Sequence, residues 1–244
     1  MLKPVVCGVG LMLVVSPALG QGGQRADVPP KKSGGAYEPI IQPGDFVDTV
    51  NHKYFRLQPG TTYRYQQKTE DGLKRVEIEV TSETKEVMGV RTTVVRDRVW
   101  TNDRLEEDAR DWYAQDKEGN VWYFGESVDN YREGKLSDHK GSWEAGVDGA
   151  KPGLVIRNEP KPGDTYRKEY YRGKAEDMGT VVALGRRVSV PYGTFEDCVQ
   201  IRDWSRIKAD ENDYNFYCSG VGFLVLTEQG KASARLELVD VTAK

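Results

Sequence analysis

Apolar and polar side chains alternate along several stretches of this chain, and no stretch has the spacing of an amphipathic helix. Polar residues separate Val76, Ile78 and Val80, so a strand here would bury one face and leave the other in water. Valine outnumbers leucine and isoleucine together, and the 13 tyrosines add further residues that favour strands. The sequence therefore predicts a mainly β fold with little helix.

Two short segments have the composition of hairpin turns. Met88-Gly89 follows the alternating stretch, and Asp116–Asn120 separates two runs rich in aromatic residues. Gly119 can adopt the positive φ angle that tight turns require. We expect an antiparallel hairpin at each place.

A weak internal repeat relates the two halves of the chain. Three landmarks recur in the same order: Pro59–Arg64 as Pro162–Arg167, Arg96-Asp97 as Arg202-Asp203, and Trp112–Ala114 as Phe216–Cys218. The general reuse of Pro-Gly turns and aromatic strands by β-proteins is the alternative explanation. From the repeat we predict two similar antiparallel curved-sheet or half-barrel units in tandem, at 52–140 and 161–244, with a glycine-rich connector at 141–160.

The N-terminal residues have the features of an export signal. Lys3 precedes an apolar run, and Ala18 and Gly20 are the small residues that a cleavage site needs. The apolar run is too short for a membrane-spanning helix, which takes about 20 residues. We expect residues 1–20 to be removed and residues 21–51 to form a flexible tether. The mature protein would then reach the periplasm or the medium without stable membrane insertion.

Composition argues against several classes of function. With 38 acidic and 35 basic residues the chain has no basic excess for nucleic acid. The two histidines, His52 and His139, lack the spacing of metal ligands, so we expect them in surface loops and expect no metal or other cofactor. No phosphate loop, dinucleotide fingerprint or nucleophile elbow is present. The sequence identifies no protein partner.

Cys198 and Cys218 are the two cysteines beyond the signal. In an oxidising compartment an even pair normally closes a disulfide. A turn at Lys208–Asp213 opposes this, because it would place Cys198 opposite Phe223, about 16 Å along the strand from Cys218. We predict the disulfide, which then requires a bulge near Gly220, a longer loop or a neighbouring strand; two buried free thiols are the alternative.

Acidic residues crowd one segment of the first half. They are Glu106, Glu107, Asp108, Asp111, Asp116, Glu118, Glu126 and Asp129. We expect them on the solvated faces of two strands, where charge prevents pairing with other chains. The segment lacks the residue pattern of a calcium-binding loop.

Candidate ligand-binding residues lie in the connector and just after it. A sugar can stack on Trp143 and hydrogen-bond to Glu144 and Asp148, although a rigid connector with a buried Trp143 is the alternative. Further candidates for ligand contact are Tyr170, Tyr171 and Arg172. Glycoside hydrolysis uses paired carboxylates, for which the candidates are Glu144, Asp148, Glu169, Glu176 and Asp177. A charged surface hairpin is the alternative for residues 169–177.

Two groups of sequence strings carry a resemblance to known proteins. Gly141–Gly153 (GSWEAGVDGAKPG) and Asn120–Glu126 (NVWYFGE) resemble segments of a family of exported bacterial proteins without an assigned activity. Pro191–Cys198 (PYGTFEDC), with the glycines that follow, is similar to secreted domains with a curved sheet that resemble the lipoprotein carriers of the cell envelope. The resemblance covers about Phe55 to Leu226 and implies a fold rather than a ligand.

These observations predict an exported β-protein that binds an apolar, saccharide or other envelope ligand without catalysis. Its ligand would be a small molecule, a glycan or a lipid. The first alternative is a secreted carbohydrate-active hydrolase or lyase that uses two of the candidate carboxylates. The second is a purely structural component of the envelope.

Overall fold

The computed structural model describes residues 37–208, 212–230 and 234–243, and two short strands near the N-terminus. The strands are β1 Val6–Cys7, β2 Gly10–Leu11, β3 Phe46–Val47, β4 Asn51–His52, β5 Phe55–Arg56, β6 Thr61–Thr69, β7 Gly72–Val87, β8 Val90–Thr101, β9 Arg104–Asp116, β10 Val121–Arg132, β11 Lys135–Asp138, β12 Trp143–Glu144, β13 Lys151–Ile156, β14 Thr165–Arg167, β15 Glu169–Tyr170, β16 Asp177–Val190, β17 Gly193–Ser205, β18 Asn212–Cys218, β19 Phe223–Gln229 and β20 Ala234–Ala243. A 3₁₀ turn at Pro43–Asp45 precedes β3. Apart from β1 and β2, the expected signal peptide with its cleavage site, and residues 21–36, lie outside them.

The long strands form one antiparallel sheet that curves until its ends nearly meet. Hydrogen-bonded neighbours follow the order β14–β16–β17–β18–β19–β20–β6–β7–β8–β9–β10–β13–β15. The first and last strands of this order are consecutive in the chain, because β14 ends at Arg167 and β15 begins at Glu169. The segment from Thr165 to Tyr170 therefore pairs with β16 on one side and with β13 on the other. The predicted mainly β fold with little helix is confirmed.

Strands of both expected units, 52–140 and 161–244, belong to this single sheet. β20 at the end of the second unit pairs with β6 at the start of the first. The expected connector, 141–160, contributes β12 and β13 to the sheet. The long-range pairs join the two halves into one curved surface, and the tandem duplication remains a prediction.

The two Pro-Gly turns of the proposed repeat make matching backbone hydrogen bonds. The N–H of Gly60, just before β6, donates to the carbonyl of Val80 at 2.8 Å. The N–H of Gly163, just before β14, donates to the carbonyl of Val181 at 2.8 Å. Each acceptor lies on the long strand that pairs with the strand after the turn.

Both predicted hairpin turns are confirmed. β7 and β8 meet at Met88-Gly89, where Val87 pairs with Val90. β9 and β10 meet at Asp116–Asn120, where the Asp116 carboxylate accepts the backbone N–H of Asn120 at 2.8 Å. Gly119 has a φ of 91°, as the turn requires. Residues within the turn determine this geometry, so local sequence was enough to predict it.

The interior of the curved sheet is packed with apolar and aromatic side chains. The apolar positions of the alternating stretch in β7 are all buried. Phe55, from the short β4–β5 hairpin, enters the interior, where its ring centroid lies 5.3 Å from that of Tyr113, 6.0 Å from Tyr217 and 4.9 Å from Phe223. Burying an aromatic ring of this size contributes about 1.5–3 kcal/mol to the stability of the fold. The β4–β5 hairpin therefore stabilises the protein by filling the interior of the sheet.

Part of the expected tether is bound to the sheet. Phe46 and Val47 form β3, which pairs with the end of β9. The ring of Phe46 also contacts that of Phe124 at 5.5 Å, and the Tyr37 hydroxyl donates to the carbonyl of Pro152 at 2.8 Å. These contacts hold residues 37–51 in place, so the expectation of a flexible tether does not apply to them.

The prediction of solvated acidic faces is wrong for four of the eight carboxylates. Glu107, Asp108, Asp111 and Glu126 are buried. The Tyr123 hydroxyl donates to Asp111 at 2.8 Å, and Arg96 forms an ion pair with Asp108. Burial raises the pKa of Asp111 to about 7 although the Tyr123 hydrogen bond opposes this. The partners come from neighbouring strands, which is why the local charge pattern did not reveal them.

His52 is buried rather than in a surface loop. Its Nδ1 accepts the backbone N–H of Tyr54 at 3.1 Å, and its Nε2 lies 3.1 Å from the carbonyl oxygen of Arg157. Burial lowers the pKa of this imidazole. His139 is exposed as expected and lies 2.8 Å from Asp129.

The predicted disulfide between Cys198 and Cys218 is confirmed, whereas the predicted register of the two strands is wrong. The cysteines face each other directly across β17 and β18, with Cα atoms 4.0 Å apart. β17 ends at Ser205 and Trp204 pairs with Asn212, so the connecting loop lies earlier in the chain than a turn at Lys208–Asp213. This shift removes the separation that opposed the disulfide.

Candidate functional site

A pocket of about 170 Å³ opens where the two ends of the sheet approach each other. The lining residues with charged or aromatic side chains are Trp143, Glu169, Tyr171, Lys174, Asp177 and Lys208, and Ser142 adds a hydroxyl group. They come from the start of β12, from β15 and the turn after it, from the start of β16 and from the chain after β17. Short strands meet at this seam and their pairing stops, which leaves room for a pocket.

Two glycines allow the walls of the pocket to approach each other. A Cβ atom at Gly125 of β10 would overlap the carbonyl oxygen of Trp143, and one at Gly153 of β13 would overlap the backbone of Lys168. Glycine at these positions therefore lets β12 pair with β10 and lets the β14–β15 segment lie directly against β13, with which β15 pairs.

The carboxyl groups of Glu169 and Asp177 both belong to the pocket lining, and the two side chains interact with each other. Burial raises the pKa of Asp177, while hydrogen bonds from Ser205 and Glu169 and the charge of Lys208 oppose the rise. Glu169 is almost wholly buried and Asp177 is half-buried, so the pair lies at the inner end of the pocket.

Trp143 supplies a polar group without a partner. Its side chain is 5% exposed, and its Nε1 has no hydrogen-bond partner among the described residues. The indole packs edge-on against the ring of Tyr123 at 5.3 Å. A buried N–H without a partner costs about 1–3 kcal/mol.

The outer part of the pocket is basic and aromatic. Lys174 is exposed, and its ammonium group donates to the Tyr171 hydroxyl at 2.6 Å and lies 4.1 Å from the centre of the Tyr171 ring. Lys208 is also exposed, and its charge acts on Asp177. The pocket thus has two lysines near its opening and two carboxyl groups further in.

The structure brings four of the predicted site residues together, namely Trp143, Glu169, Tyr171 and Asp177. From their positions in the chain alone, the sequence analysis groups Trp143 with its neighbours Glu144 and Asp148. Glu144 instead forms an ion pair with Lys85 at 2.7 Å, and Asp148 lies exposed in a turn. Trp143 is buried, as the connector alternative stated, and it lines the pocket as well.

The other predicted residues lie outside the pocket lining. Arg167 stacks between the rings of Tyr37 and Tyr170, at 5.4 and 4.6 Å, so Tyr170 helps to hold the N-terminal segment. Arg172 is exposed in the turn after β15. Glu176 accepts the backbone N–H of Gly173 at 3.0 Å and stabilises that turn.

Sequence reasoning missed Lys174 and Lys208, because isolated lysines in loops give no signal of a site.

Among the described residues, no three side chains of His, Cys, Asp or Glu are grouped as metal ligands. No helix in the described part of the chain has the length and apolar character needed to cross a bilayer.

Fold and site together define a protein built from one nearly closed antiparallel sheet with a small polar pocket at its seam. No protein-family model and no curated protein matches the chain. A solved structure from Parabacteroides distasonis, described as a "putative lipoprotein", is similar with a TM-score of 0.43 and 12% sequence identity. The match covers 78% of this chain and 99% of that one.

Proposed function

We propose that this protein is an exported β-protein that binds a small saccharide in the seam pocket. Export is supported by the signal-like N-terminus, and the Cys198–Cys218 disulfide suits an oxidising compartment. The observation that carries the binding proposal is a pocket whose lining brings together the carboxyl group of Asp177, the ammonium group of Lys174 and the aromatic rings of Trp143 and Tyr171.

The chemistry of these groups matches that of a sugar ring. The Asp177 carboxyl group can hydrogen-bond to hydroxyl groups and the Lys174 ammonium group can donate to them, so the lining offers partners to a sugar. The ring of Tyr171 offers an apolar surface to the C–H face of a sugar. A cavity of about 150 Å³ holds one benzene ring, so this pocket has room for a single six-membered ring.

The charged groups of the lining favour a ligand that carries polar groups over a purely apolar one. An acyl chain in the pocket would exclude water from the Asp177 carboxyl group without replacing its hydrogen bonds. Such loss costs a few kcal/mol for each polar group. We therefore propose a saccharide rather than a lipid as the ligand.

The distance between the two carboxyl groups favours binding over glycoside hydrolysis. Hydrolases that use two carboxylates hold them roughly 5–9 Å apart, so that the sugar or a water molecule fits between them. Glu169 and Asp177 interact directly with each other, which leaves no room for a sugar or a water molecule between them.

Calorimetric titration and thermal unfolding test the proposal. The purified, oxidised protein is titrated with hexoses, their uronic acids and amino derivatives, and with a fatty acid. We expect a saccharide to bind, and at 100 times its Kd to stabilise the protein by about 2.7 kcal/mol. Stabilisation by the fatty acid alone, or by none of the compounds, would contradict the proposal.

Two variants link binding to the pocket. Asp177→Asn removes the ionisable carboxyl group while keeping the shape of the side chain, and we expect it to weaken saccharide binding by about ten-fold or more. Asp148→Asn is the matched control, because Asp148 is an exposed acid outside the pocket with a φ of 50° that asparagine tolerates. Trp143→Phe should also weaken binding, since it replaces the indole of the pocket lining with a smaller ring. Unchanged binding in both pocket variants would place the ligand elsewhere.

A further inference from the structure

We propose that the protein forms an amide cross-link between two of its own side chains, in which the Nζ atom of Lys168 replaces the amide nitrogen of Asn215. The reaction uses no ligand and is independent of the proposed saccharide function. Both side chains lie inside the curved sheet, where they meet Asp203 and Thr227. Together these side chains supply a nucleophile, an electrophile, a proton carrier and a hydrogen-bond donor to the attacked carbonyl group.

Lys168 and Asn215 come from elements that are far apart in the chain. Lys168 lies between β14 and β15, in the segment that closes the sheet, and Asn215 lies on β18. Asp203 lies on β17, which pairs with β18, and Thr227 of β19 pairs directly with Asn215. All four side chains are buried. A bond between Lys168 and Asn215 would attach the closing segment covalently to β18.

Asp203 holds the two reacting groups beside each other. Its Oδ2 atom accepts a hydrogen bond from the Lys168 ammonium group and another, at 2.7 Å, from Asn215 Nδ2. Two donors on one oxygen atom lie within about 6 Å of each other, because each hydrogen bond is about 3 Å long. The Asn215 Cγ atom is bonded to Nδ2, so a small movement of the lysine side chain brings Nζ to the distance of about 3–3.5 Å from which attack occurs.

Thr227 polarises the amide group that is attacked. Its hydroxyl donates to Asn215 Oδ1 at 2.6 Å, and this oxygen is the atom on which negative charge develops during the attack. On the other side of the amide, Nδ2 donates to the Asp203 carboxylate. The two partners therefore determine which way the amide faces.

Asp203 can carry the protons that the reaction requires. A lysine side chain attacks only as the neutral amine, so its ammonium group must first lose a proton. Transfer of that proton to Asp203 removes two charges from a buried site, where charges are costly. The Oδ1 atom of Asp203 has no hydrogen-bond partner in the described part of the chain, so it is open to the proton. Because Asp203 also attracts the ammonium form, the neutral amine is a minor species and the reaction is slower than folding.

The bonds and protons balance without a co-reactant. A bond forms between Lys168 Nζ and Asn215 Cγ, and the bond between Cγ and Nδ2 breaks. Nδ2 leaves as ammonia with its own two hydrogens and the proton that Asp203 had taken from the lysine. The attacking nitrogen then gives a further proton to Asp203. The product therefore has a secondary amide and a neutral carboxyl group in place of the buried ion pair.

Mass spectrometry of the oxidised protein tests this proposal. Loss of ammonia lowers the intact mass by about 17 Da beyond the two hydrogens lost to the disulfide. The mass is measured under denaturing conditions on fresh protein and after prolonged incubation. Digestion after reduction should then yield one branched peptide that contains both Lys168 and Asn215. This mapping is needed because cyclisation of an N-terminal glutamine, such as Gln21 after signal cleavage, removes the same mass.

Three variants assign the roles. Lys168→Met removes the nucleophile and Asp203→Ala removes the proton carrier, so each should keep the mass of the protein without the cross-link. Lys74→Met is the matched control, because Lys74 is also a buried lysine and its Nζ has no hydrogen-bond partner among the residues that the structure describes. It should form the cross-link as the unsubstituted protein does. Circular dichroism checks that each variant is folded.

The other outcomes overturn stated parts of the proposal. If the unsubstituted protein shows only the disulfide after incubation, or a loss of ammonia confined to its N-terminal peptide, the cross-link is excluded whatever the variants do. A loss of about 18 Da with Lys168 joined to Asp203 would overturn Asn215 as the acceptor, because that bond forms with loss of water. A cross-link that persists in folded Asp203→Ala would overturn the role of Asp203 as proton carrier.

Discussion

Lys168 and Asp203 form an ion pair inside the curved sheet, where both side chains are at most one-tenth exposed. Asn215 donates a second hydrogen bond to Asp203 at 2.7 Å, and Thr227 donates to Asn215 at 2.6 Å. Burial alone would lower the pKa of Lys168, but the attraction of Asp203 outweighs it and raises the pKa above its usual value. The pair joins the segment that closes the sheet to the strand β17.

Lys168→Met should therefore be strongly destabilising. Removing one partner of a buried pair leaves the other charge without compensation and costs about 3–5 kcal/mol. The free energy of unfolding in urea measures this loss. Arg187→Met is the control, because the Arg187–Glu196 pair is more than two-thirds exposed on both sides and its loss should cost under about 1 kcal/mol. Equal losses in the two variants would contradict the burial argument.

Asp111 should make the protein less stable as the pH rises from about 4 to about 7. Burial raises its pKa from 3.8 to about 7, so over this range the folded state holds a proton that the unfolded state releases. Stability falls with pH wherever the folded state binds more protons. Above about pH 7 both states are ionised and this contribution stays constant.

Asp111→Asn isolates that effect. Asparagine keeps an oxygen that can accept the Tyr123 hydroxyl, and it does not ionise. The free energy of unfolding of Asp111→Asn minus that of the unsubstituted protein should therefore increase between pH 4 and pH 7, as measured in urea at each pH. A difference that is independent of pH would show that Asp111 ionises normally in the folded protein.

Local sequence was enough to predict the parts of the fold that local interactions determine. The alternation in β7 and the turns at Met88-Gly89 and Asp116–Asn120 depend on residues close together in the chain. The joining of the two halves of the sheet depends on pairs such as Thr61 with Ala243, which lie far apart in the chain. No local pattern contains that information.

The candidate site shows the same limit. Trp143, Glu169 and Asp177 were each predicted for their chemistry, but Trp143 was grouped with the carboxylates next to it in the chain. The pairing of β13 with β15 and of β12 with β10 brings Trp143 to the other two. Burial of acids such as Asp111 escaped prediction because Tyr123, which hydrogen-bonds to it, lies on the neighbouring strand.

The Cys198–Cys218 disulfide should add about 3 kcal/mol to stability, because it restricts a loop of some twenty residues in the unfolded chain. The double variant Cys198→Ala, Cys218→Ala should lose that amount in urea unfolding at neutral pH. The covalent state is checked by intact mass after alkylation in denaturant without reductant. No label should be found on either cysteine, and labels on both would contradict the pairing.

Gly125→Ala should disrupt the seam pocket, whereas Gly134→Ala, which changes a turn, should not. A Cβ atom at Gly125 would overlap the carbonyl oxygen of Trp143, so β12 would have to move away from β10. Gly134→Ala is the matched control, because Gly134 also has a positive φ and nothing lies within 4 Å of its added Cβ atom. Both variants carry the cost of a left-handed backbone, about 1–2 kcal/mol, and overlap in Gly125→Ala should add about 1–3 kcal/mol more.

Urea unfolding measures that difference in stability. Titration with the saccharide that binds the unsubstituted protein measures whether the pocket still binds it. Gly134→Ala should retain binding while Gly125→Ala loses it, and equal behaviour of the two variants would show that the approach of Trp143 to Gly125 does not shape the pocket.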